Sequence, residues 1–280
     1  MGVYLRPQEL DQALDALGAG GLSIVAGGTD FYPPRVGQPL DDDVLDISAI
    51  KGLRAIEDRG DHWRMGALAT WTDLATADLP PCFDGLKLAA REVGGVQIQN
   101  AGTLCGNICN ASPAADGAPN LLALDAALVL ASTKGERTVA LGQFITGNRA
   151  TVRRSDEMVV AITVPKPAPG ARSAFLKLGA RRYQIISIVM VALVIESDAG
   201  RVAGARVAVG ACAPVALRLG DLEAALVGAP PHEALGEVAD ASHLSGVLEP
   251  IDDLRGTADY RLDAALTLIR RGLSALGAER

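Results

Sequence analysis

Residues 103–116 read TLCGNICNASPAAD, and this stretch decides how the rest of the chain is interpreted. Apolar stretches at residues 88–96 and 121–130 flank it, which predicts a functional loop or a buried turn between them. Gly106 allows the backbone to approach another group closely. Hydroxyl, carboxamide and main-chain N–H groups can surround an anion without a positive charge. The polar members of the stretch are Thr103, Gly106, Asn107, Asn110, Ser112 and Asp116.

A second glycine-rich turn occurs early in the chain. Residues 22–26 predict a short buried strand that runs directly into Gly27-Gly28-Thr29-Asp30. A strand that ends in glycines can bring a phosphate group against main-chain N–H groups. The pattern is not G-x-G-x-x-G and no helical segment follows at once, so a Rossmann site is a poor match. A tight turn without any ligand explains these residues equally well.

Together the two stretches resemble the flavin subunits of molybdenum hydroxylases, the family of xanthine dehydrogenase and carbon monoxide dehydrogenase. Residues 103–116 are similar to the family pattern T/S-x-G-G-N-x-x-x-A-S-P-x-x-D, with Cys105 in place of the first glycine, and residues 25–30 are similar to V-x-G-G/N-T-D/E. Residues 175–186 and 252–273 also resemble family segments, so the resemblance covers nearly the whole chain. No catalytic or metal-binding residue is implied. The resemblance implies FAD binding by Ala26, Gly27, Gly28, Thr29, Asp30, Thr103, Leu104, Gly106, Asn107, Ser112, Asp116, Val159 and Lys177.

Several of these residues also have purely structural explanations. Thr103 and Ser112 can satisfy the backbone of a turn, and Asp116 can cap a following helix. As a cation near the flavin, Lys177 would stabilise the reduced ring and raise its potential. The alternative is a solvated lysine on a strand. Both explanations stay open for each residue at this point.

The segment after Lys177 offers further candidates. Arg181 and Arg182 either steer a cofactor phosphate or a partner's acid, or are surface charges. Tyr183 either covers the flavin ring or fills the core, and Ile186 is an alternative ring contact. The sequence does not decide between these roles.

The composition excludes several classes of function. The chain has 280 residues, a formal net charge of −7 and 4% aromatic residues. Nucleic acid is therefore not expected as a partner, because neither phosphate neutralisation nor base stacking is supported. A diphosphate would have to be held by main-chain amides and local dipoles. No apolar run is long enough to span a membrane and no signal peptide is visible, so we expect a cytoplasmic protein.

Cysteine and histidine spacing argues against a metal site. The four cysteines form no C-x-x-C pair, and the three histidines show no spacing typical of ligands or of a general base. We therefore expect buried thiols rather than iron–sulfur or zinc ligands. The residues concerned are Cys82, Cys105, Cys109, Cys212, His62, His232 and His243.

A proline-rich segment at residues 165–169 predicts the main domain boundary. The resemblance implies an α+β protein in which residues 1–55 and 56–168 form a two-subdomain FAD-binding fold, similar to that of vanillyl-alcohol oxidase (PCMH-type). We expect residues 169–280 to form a C-terminal α/β domain with a three-stranded sheet and helices. Periodicity predicts a helix at 7–17, strands at 173–178, 188–195 and 201–211, and helices at 221–226, 232–241 and 259–276.

The resemblance implies an oxidoreductase subunit that carries one non-covalent FAD. Its partners would be a large molybdopterin subunit and a small subunit with two 2Fe–2S clusters, assembled as a dimer of heterotrimers. Electrons would pass from those clusters to this FAD and on to NAD, a quinone, oxygen or another acceptor. Two alternatives are a stand-alone FAD oxidoreductase with its own organic substrate and a nucleotide-binding regulatory module.

Overall fold

The computed structural model describes residues 2–181 and 184–278. At its start lies a small parallel sheet, formed by β1 (Tyr4–Leu5), β2 (Ser23–Val25) and β3 (Val44–Asp46), with helix α1 (Leu10–Gly18) between β1 and β2 in the chain. β3 lies in the centre and pairs in parallel with both neighbours. α1 buries Ala13, Leu14 and Leu17, as its helical spacing predicts. Because β2 is an edge strand, the glycine turn that follows it is free to face the next part of the chain.

The middle of the chain is a five-stranded antiparallel sheet with short helices packed on it. The sheet order is β4-β5-β10-β6-β7, and a small hairpin of β8 and β9 stands apart from it. The elements in chain order are β4 (Ile56–Asp58), β5 (His62–Gly66), α2 (Trp71–Thr76), α3 (Asp84–Glu92), α4 (Val96–Ala101), α5 (Leu104–Asn110), α6 (Gly117–Ala123), β6 (Ala127–Ser132), β7 (Gly135–Ala140), α7 (Leu141–Phe144), β8 (Ile145–Gly147), β9 (Ala150–Thr151) and β10 (Met158–Pro165).

The C-terminal part is an antiparallel sheet covered by helices. The three predicted strands are present as β11 (Arg172–Leu178), β12 (Val189–Asp198) and β13 (Arg201–Gly210), and a two-residue strand, β14 (Leu217–Arg218), adds a fourth. Helices α8 (Gly220–Leu226) and α9 (Ala258–Ala278) follow. The helix predicted at 232–241 is instead a 3-10 segment, Glu233–Val238. Its Gly236 lies so close to the α9 backbone that an added Cβ would be 2.3 Å from the Arg270 carbonyl oxygen.

Strand β12 joins the two hydrophobic cores of the molecule. Met190, Ala192 and Val194 belong to the core that they share with the preceding part of the chain. The alternate residues Val189, Val191, Leu193 and Ile195 belong to the core under α8 and α9. Successive strand residues point to opposite faces of a sheet, so this near-continuous apolar run is what a strand buried on both faces requires. α6 packs on β12 and β13 from one side, and α9 packs on β11 and β12 from the other.

Within residues 2–181 and 184–278, no helix has the length and apolar character to cross a bilayer.

Candidate binding cleft

The two glycine turns of the sequence lie against each other. A Cβ added to Gly27 would lie 1.8 Å from the Ala101 carbonyl oxygen, and one added to Gly102 would lie 3.2 Å from Thr29 Oγ1. The second turn is also held by main-chain hydrogen bonds to the start of α2. In these bonds the Trp71 N–H donates to the Gly102 carbonyl at 3.1 Å, and the Leu104 N–H donates to Ala69 at 3.0 Å. Residues more than seventy positions apart therefore form one junction.

Gly28 is required by the turn itself. Its φ of 67° lies in the left-handed region, which glycine adopts without steric cost. The Gly28 carbonyl accepts hydrogen bonds from the N–H groups of Phe31 and Tyr32 at 3.2 and 3.1 Å. A side chain at Gly28 would also lie 2.5 Å from the Tyr32 ring.

The expected loop at residues 103–116 is wrong in its first half, because residues 104–110 form helix α5. Thr103 caps this helix: its Oγ1 accepts a hydrogen bond from the Gly106 N–H at 3.0 Å. Leu104, Cys105 and Ile108 are buried at helical spacing. The helix ends at Ala111, whose φ of 49° is left-handed. Capping and burial thus overcome the low helix propensity of glycine and asparagine in this stretch.

A cleft of about 520 Å³ opens beside this junction, a volume within the usual range for ligand sites. The turn after β2 forms one wall, α5 forms another, and β10 contributes Val159. The predicted site residues that line it are Ala26, Gly27, Gly28, Thr29, Asp30, Thr103, Gly106, Asn107 and Val159. Apolar side chains including Ile24, Ile47, Trp71, Val93 and Ile98 complete its lining.

The other predicted site residues do not line this cleft. Leu104 is 1% exposed and belongs to the hydrophobic core. Ser112 Oγ accepts a hydrogen bond from the Ala114 N–H at 3.3 Å, which is the turn role considered for it. Asp116 stands at the N-cap position of α6, but its side chain makes no capping hydrogen bond. Its carboxylate instead forms a buried cluster with Lys177.

That cluster joins Asp116 to two residues of the C-terminal part. Lys177 Nζ donates to Asp116 Oδ2 at 2.8 Å, and Ser187 Oγ donates to Asp116 Oδ1 at 3.0 Å. The Lys177 and Asp116 side chains are only 5% and 10% exposed, so the alternative of a solvated lysine is wrong. Burial raises the pKa of Asp116, and the Lys177 charge and the two hydrogen bonds oppose that rise.

Asn107 connects the cleft to this cluster. Asn107 Oδ1 accepts a hydrogen bond from the N–H of Gly117, the residue next to Asp116, at 3.1 Å. A Cβ on Gly117 would lie 2.8 Å from that oxygen and 3.1 Å from the Trp71 ring. The cleft wall and the buried ion pair are therefore held in one fixed arrangement.

Sequence reasoning missed the arginines of the cleft. Arg149 lies at the tip of the β8–β9 hairpin, where its Nη1 donates to Asp30 Oδ2 at 3.0 Å and to Asn110 Oδ1 at 2.6 Å. Arg35 and Arg153 also line the cleft. The expectation that only main-chain groups and dipoles are available for a diphosphate is thus incomplete. The net charge of the chain gives no signal of this local clustering, and Arg149 and Asp30 are 119 residues apart.

Three of the four cysteines are buried, as expected, whereas Cys109 is half-buried and lines the cleft. Cys105 is 3% exposed, so the side chain that replaces the family glycine is buried. Burial raises the pKa of Cys82 and Cys109 to about 11 and of Cys212 to about 12. Arg181 donates to the Gln184 carbonyl; Arg182 and Tyr183 lie outside the described residues.

Metal-ligating side chains do not converge in the described ranges. No group of three or more His, Cys, Asp or Glu residues lies close enough there to hold a metal ion.

Comparison with known proteins gives two domain families in order along the chain. Residues 1–167 match the FAD binding domain in molybdopterin dehydrogenase, and residues 174–276 match the CO dehydrogenase flavoprotein C-terminal domain.

Relatives match over nearly their full length. The carbon monoxide dehydrogenase medium chain of Hydrogenophaga pseudoflava is 32% identical over 97% of this chain and 96% of its own. The putative xanthine dehydrogenase FAD-binding subunit of Escherichia coli K12 is 30% identical over 90% of this chain and 87% of its own. A solved structure of the Hydrogenophaga carbon monoxide dehydrogenase superposes with a TM-score of 0.89 at 31% identity, covering 98% of this chain and 96% of that one.

Proposed function

This chain belongs to the family of FAD-binding medium subunits of molybdopterin dehydrogenases, and we propose that it transfers electrons between partner subunits and an external acceptor. The observation that carries this proposal is the junction of the two glycine turns beside a single cleft of about 520 Å³. In this proposal residues 1–55 and 56–168 are the two FAD-binding subdomains, and 169–280 the C-terminal domain.

The cleft residues fit an FAD molecule. Gly28 and Gly106 present backbone without side chains to the cleft, which permits close approach of a diphosphate. The Asn107 amide nitrogen and the Thr103 hydroxyl proton can donate to ribityl or phosphate oxygens while their other atoms hold the structure. The apolar part of the lining provides surface for a ring system. FAD, when bound, supplies the redox chemistry, since its ring takes up electrons and passes them on.

We propose that Lys177, although it does not line the cleft, stabilises negative charge on the reduced cofactor through its electric field, from a buried pair that the Asn107–Gly117 hydrogen bond ties to the cleft wall. Asp116 lies 2.8 Å from Lys177 and offsets its charge, so the pair sets the local field together. Removing the Asp116 charge should therefore raise the flavin potential, and removing the Lys177 charge should lower it. Ser187 helps to fix the carboxylate through its hydrogen bond.

Family membership supports a proposal about the partner subunits. We propose a cytoplasmic complex with a large molybdopterin subunit and a small subunit that carries two 2Fe–2S clusters, arranged as a dimer of heterotrimers. Electrons would enter from those clusters and leave to NAD, a quinone, oxygen or another acceptor. In this proposal the chain holds the flavin in a fixed position relative to the partner's cluster and sets its potential.

Flavin content and partner-dependent reduction test the proposal. Purified protein should show flavin absorbance with FAD close to one per chain, and co-purified partners should bring molybdenum and iron. Anaerobic addition of the complex's substrate should reduce the flavin only when the partner subunits are present. A colourless protein that takes up no FAD contradicts the proposal. Reduction by an organic substrate without partners would instead identify a stand-alone oxidoreductase.

A further inference from the structure

Arg149 lies at the tip of the β8–β9 hairpin and lines the cleft. It is the second residue of the two-residue turn between β8 and β9, with a φ of 54°. Its N–H donates to the Ala111 carbonyl at 2.8 Å, which fixes the hairpin tip against the end of α5. The guanidinium then reaches both Asp30 and Asn110. The side chain therefore bridges the two cleft walls that the glycine turns build.

The guanidinium of Arg149 remains available to a ligand. Its two hydrogen bonds both use Nη1, so within the described residues Nε and Nη2 make no further hydrogen bond. The Arg149 and Asp30 side chains are 61% and 55% exposed, and an ion pair between such exposed groups contributes little to stability. A phosphate can therefore take up the free donors, or replace Asp30, at small cost.

The other two arginines of the cleft donate to groups within seven residues of them in the sequence. Arg35 donates Nε and Nη2 to Asp42 and Nη1 to the Phe31 carbonyl. Arg153 donates Nη1 to the carbonyls of Arg154 and Glu157. Within the described residues Arg153 therefore keeps as many donors as Arg149, but its bonds are to carbonyls of its own segment. Arg149 contacts side chains of both cleft walls, Asp30 and Asn110, which places it to form a bidentate contact with phosphate oxygens.

We propose that Arg149 binds the diphosphate of a dinucleotide in this cleft. The inference rests on the proposed function for the presence of FAD, and it adds a charged contact to the main-chain and neutral side-chain donors proposed above. The diphosphate belongs either to the resident FAD or to a pyridine dinucleotide acceptor. Both ligands present the same chemistry, and binding measurements separate them.

The experiment compares wild type with Arg149→Gln and Arg149→Lys after removal of flavin. The ligands are FAD and ADP, which carry a diphosphate, and riboflavin and adenosine, which carry none. Losing a charge-assisted contact should weaken FAD and ADP binding about tenfold to a hundredfold. Riboflavin and adenosine binding should change less than about twofold, and Arg149→Lys should recover part of the loss. NADH binding to the flavin-loaded proteins forms the second arm.

A matched control is Arg59→Gln, which removes the same charge from an exposed ion pair with Glu57 outside the cleft. Weakened NADH binding with unchanged FAD and ADP binding assigns the diphosphate to the acceptor. If the affinity for FAD, ADP, riboflavin and adenosine falls equally, Arg149 only holds the cleft walls together and the proposal is wrong. Unchanged affinity for every ligand also overturns it. A wild-type protein that takes up no FAD refutes the proposed function instead.

Discussion

Replacing Gly27 with alanine should damage the cleft more than any other single methyl group added to it. The added Cβ would lie 1.8 Å from the Ala101 carbonyl oxygen, 2.5 Å from its carbonyl carbon and 3.0 Å from the Gly102 nitrogen, where ordinary contact begins at 3.4 Å. The obstacle is backbone, so no side-chain rotation relieves it. The two walls must separate by roughly 1.5 Å, and the junction between the glycine turns opens.

The size of the effect follows from that clash. Overpacking of this kind costs about 1–3 kcal/mol, and backbone-to-backbone overlap places Gly27→Ala at the upper end. Each kcal/mol lowers the melting temperature by roughly 2–4 °C in a chain of this size, so we expect a fall of about 6 °C or more. FAD at a hundred times its dissociation constant adds about 2.7 kcal/mol to a protein that binds it. The variant should lose most of this gain.

Thermal unfolding with and without FAD is the assay. Gly220→Ala is a suitable control, because no atom lies within 4 Å of its added Cβ, and Gly18→Ala is a second, with its nearest atom at 4.0 Å. Neither position has a positive φ, so both controls should be neutral or stabilised by up to about 1 kcal/mol. A Gly27→Ala protein that melts and binds FAD like these controls would refute the geometric reasoning.

Three further predictions concern buried charges. Lys177→Met should lower the free energy of unfolding in urea by about 3–5 kcal/mol, because it leaves the Asp116 carboxylate buried without its ammonium partner. The double variant Lys177→Met with Asp116→Leu should lose less stability, and an equal loss would contradict this explanation. Arg137 lowers the pKa of Glu157 from its usual 4.5 to about 2, so the stability from this pair should be complete above pH 4.5 and disappear as the pH falls towards 2; Arg137→Gln should flatten that part of the pH profile. Arg206 donates to the Ala123 carbonyl and to Glu196, so Arg206→Leu should increase amide hydrogen exchange around residues 120–125, whereas unchanged exchange would show that the contact does not hold the C-terminal sheet on α6.

Local pattern predicts much of this fold. The spacing of Leu14 and Leu17 predicts α1, and the apolar run through β12 predicts a strand buried on both faces. Helix α5 is missed because its composition is poor for a helix, and its stability comes from the Thr103 cap and from tertiary burial of Ile108. Propensity within a seven-residue window carries little weight against such contacts.

In the candidate site, too, the sequence indicates which residues take part but not which of them contact each other. The resemblance places Asp116 and Lys177 in one site, but no local pattern shows that they bind each other or that Ser187 completes their cluster. The contact of Arg149 with Asp30 is equally invisible in the sequence, because it depends on where the β8–β9 hairpin lies in space. Contacts between distant positions are set by the tertiary fold, which residue spacing alone does not specify.

Gly27 shows that a residue singled out by its sequence pattern can have a different contact in the structure from the one expected. A glycine turn predicts that the backbone approaches some other group, and a ligand phosphate is the obvious partner from sequence. In the structure Gly27 faces the Ala101 carbonyl, so its missing side chain first serves contact between two parts of the chain. Arg149, by contrast, stabilises little through its exposed pair with Asp30. Replacing Gly27 must therefore lower the free energy of unfolding before any cofactor is added. Replacing Arg149 must leave that free energy nearly unchanged and act only when a phosphate-bearing ligand is present, so unfolding of the apo protein separates residues that build the cleft from residues that bind its ligand.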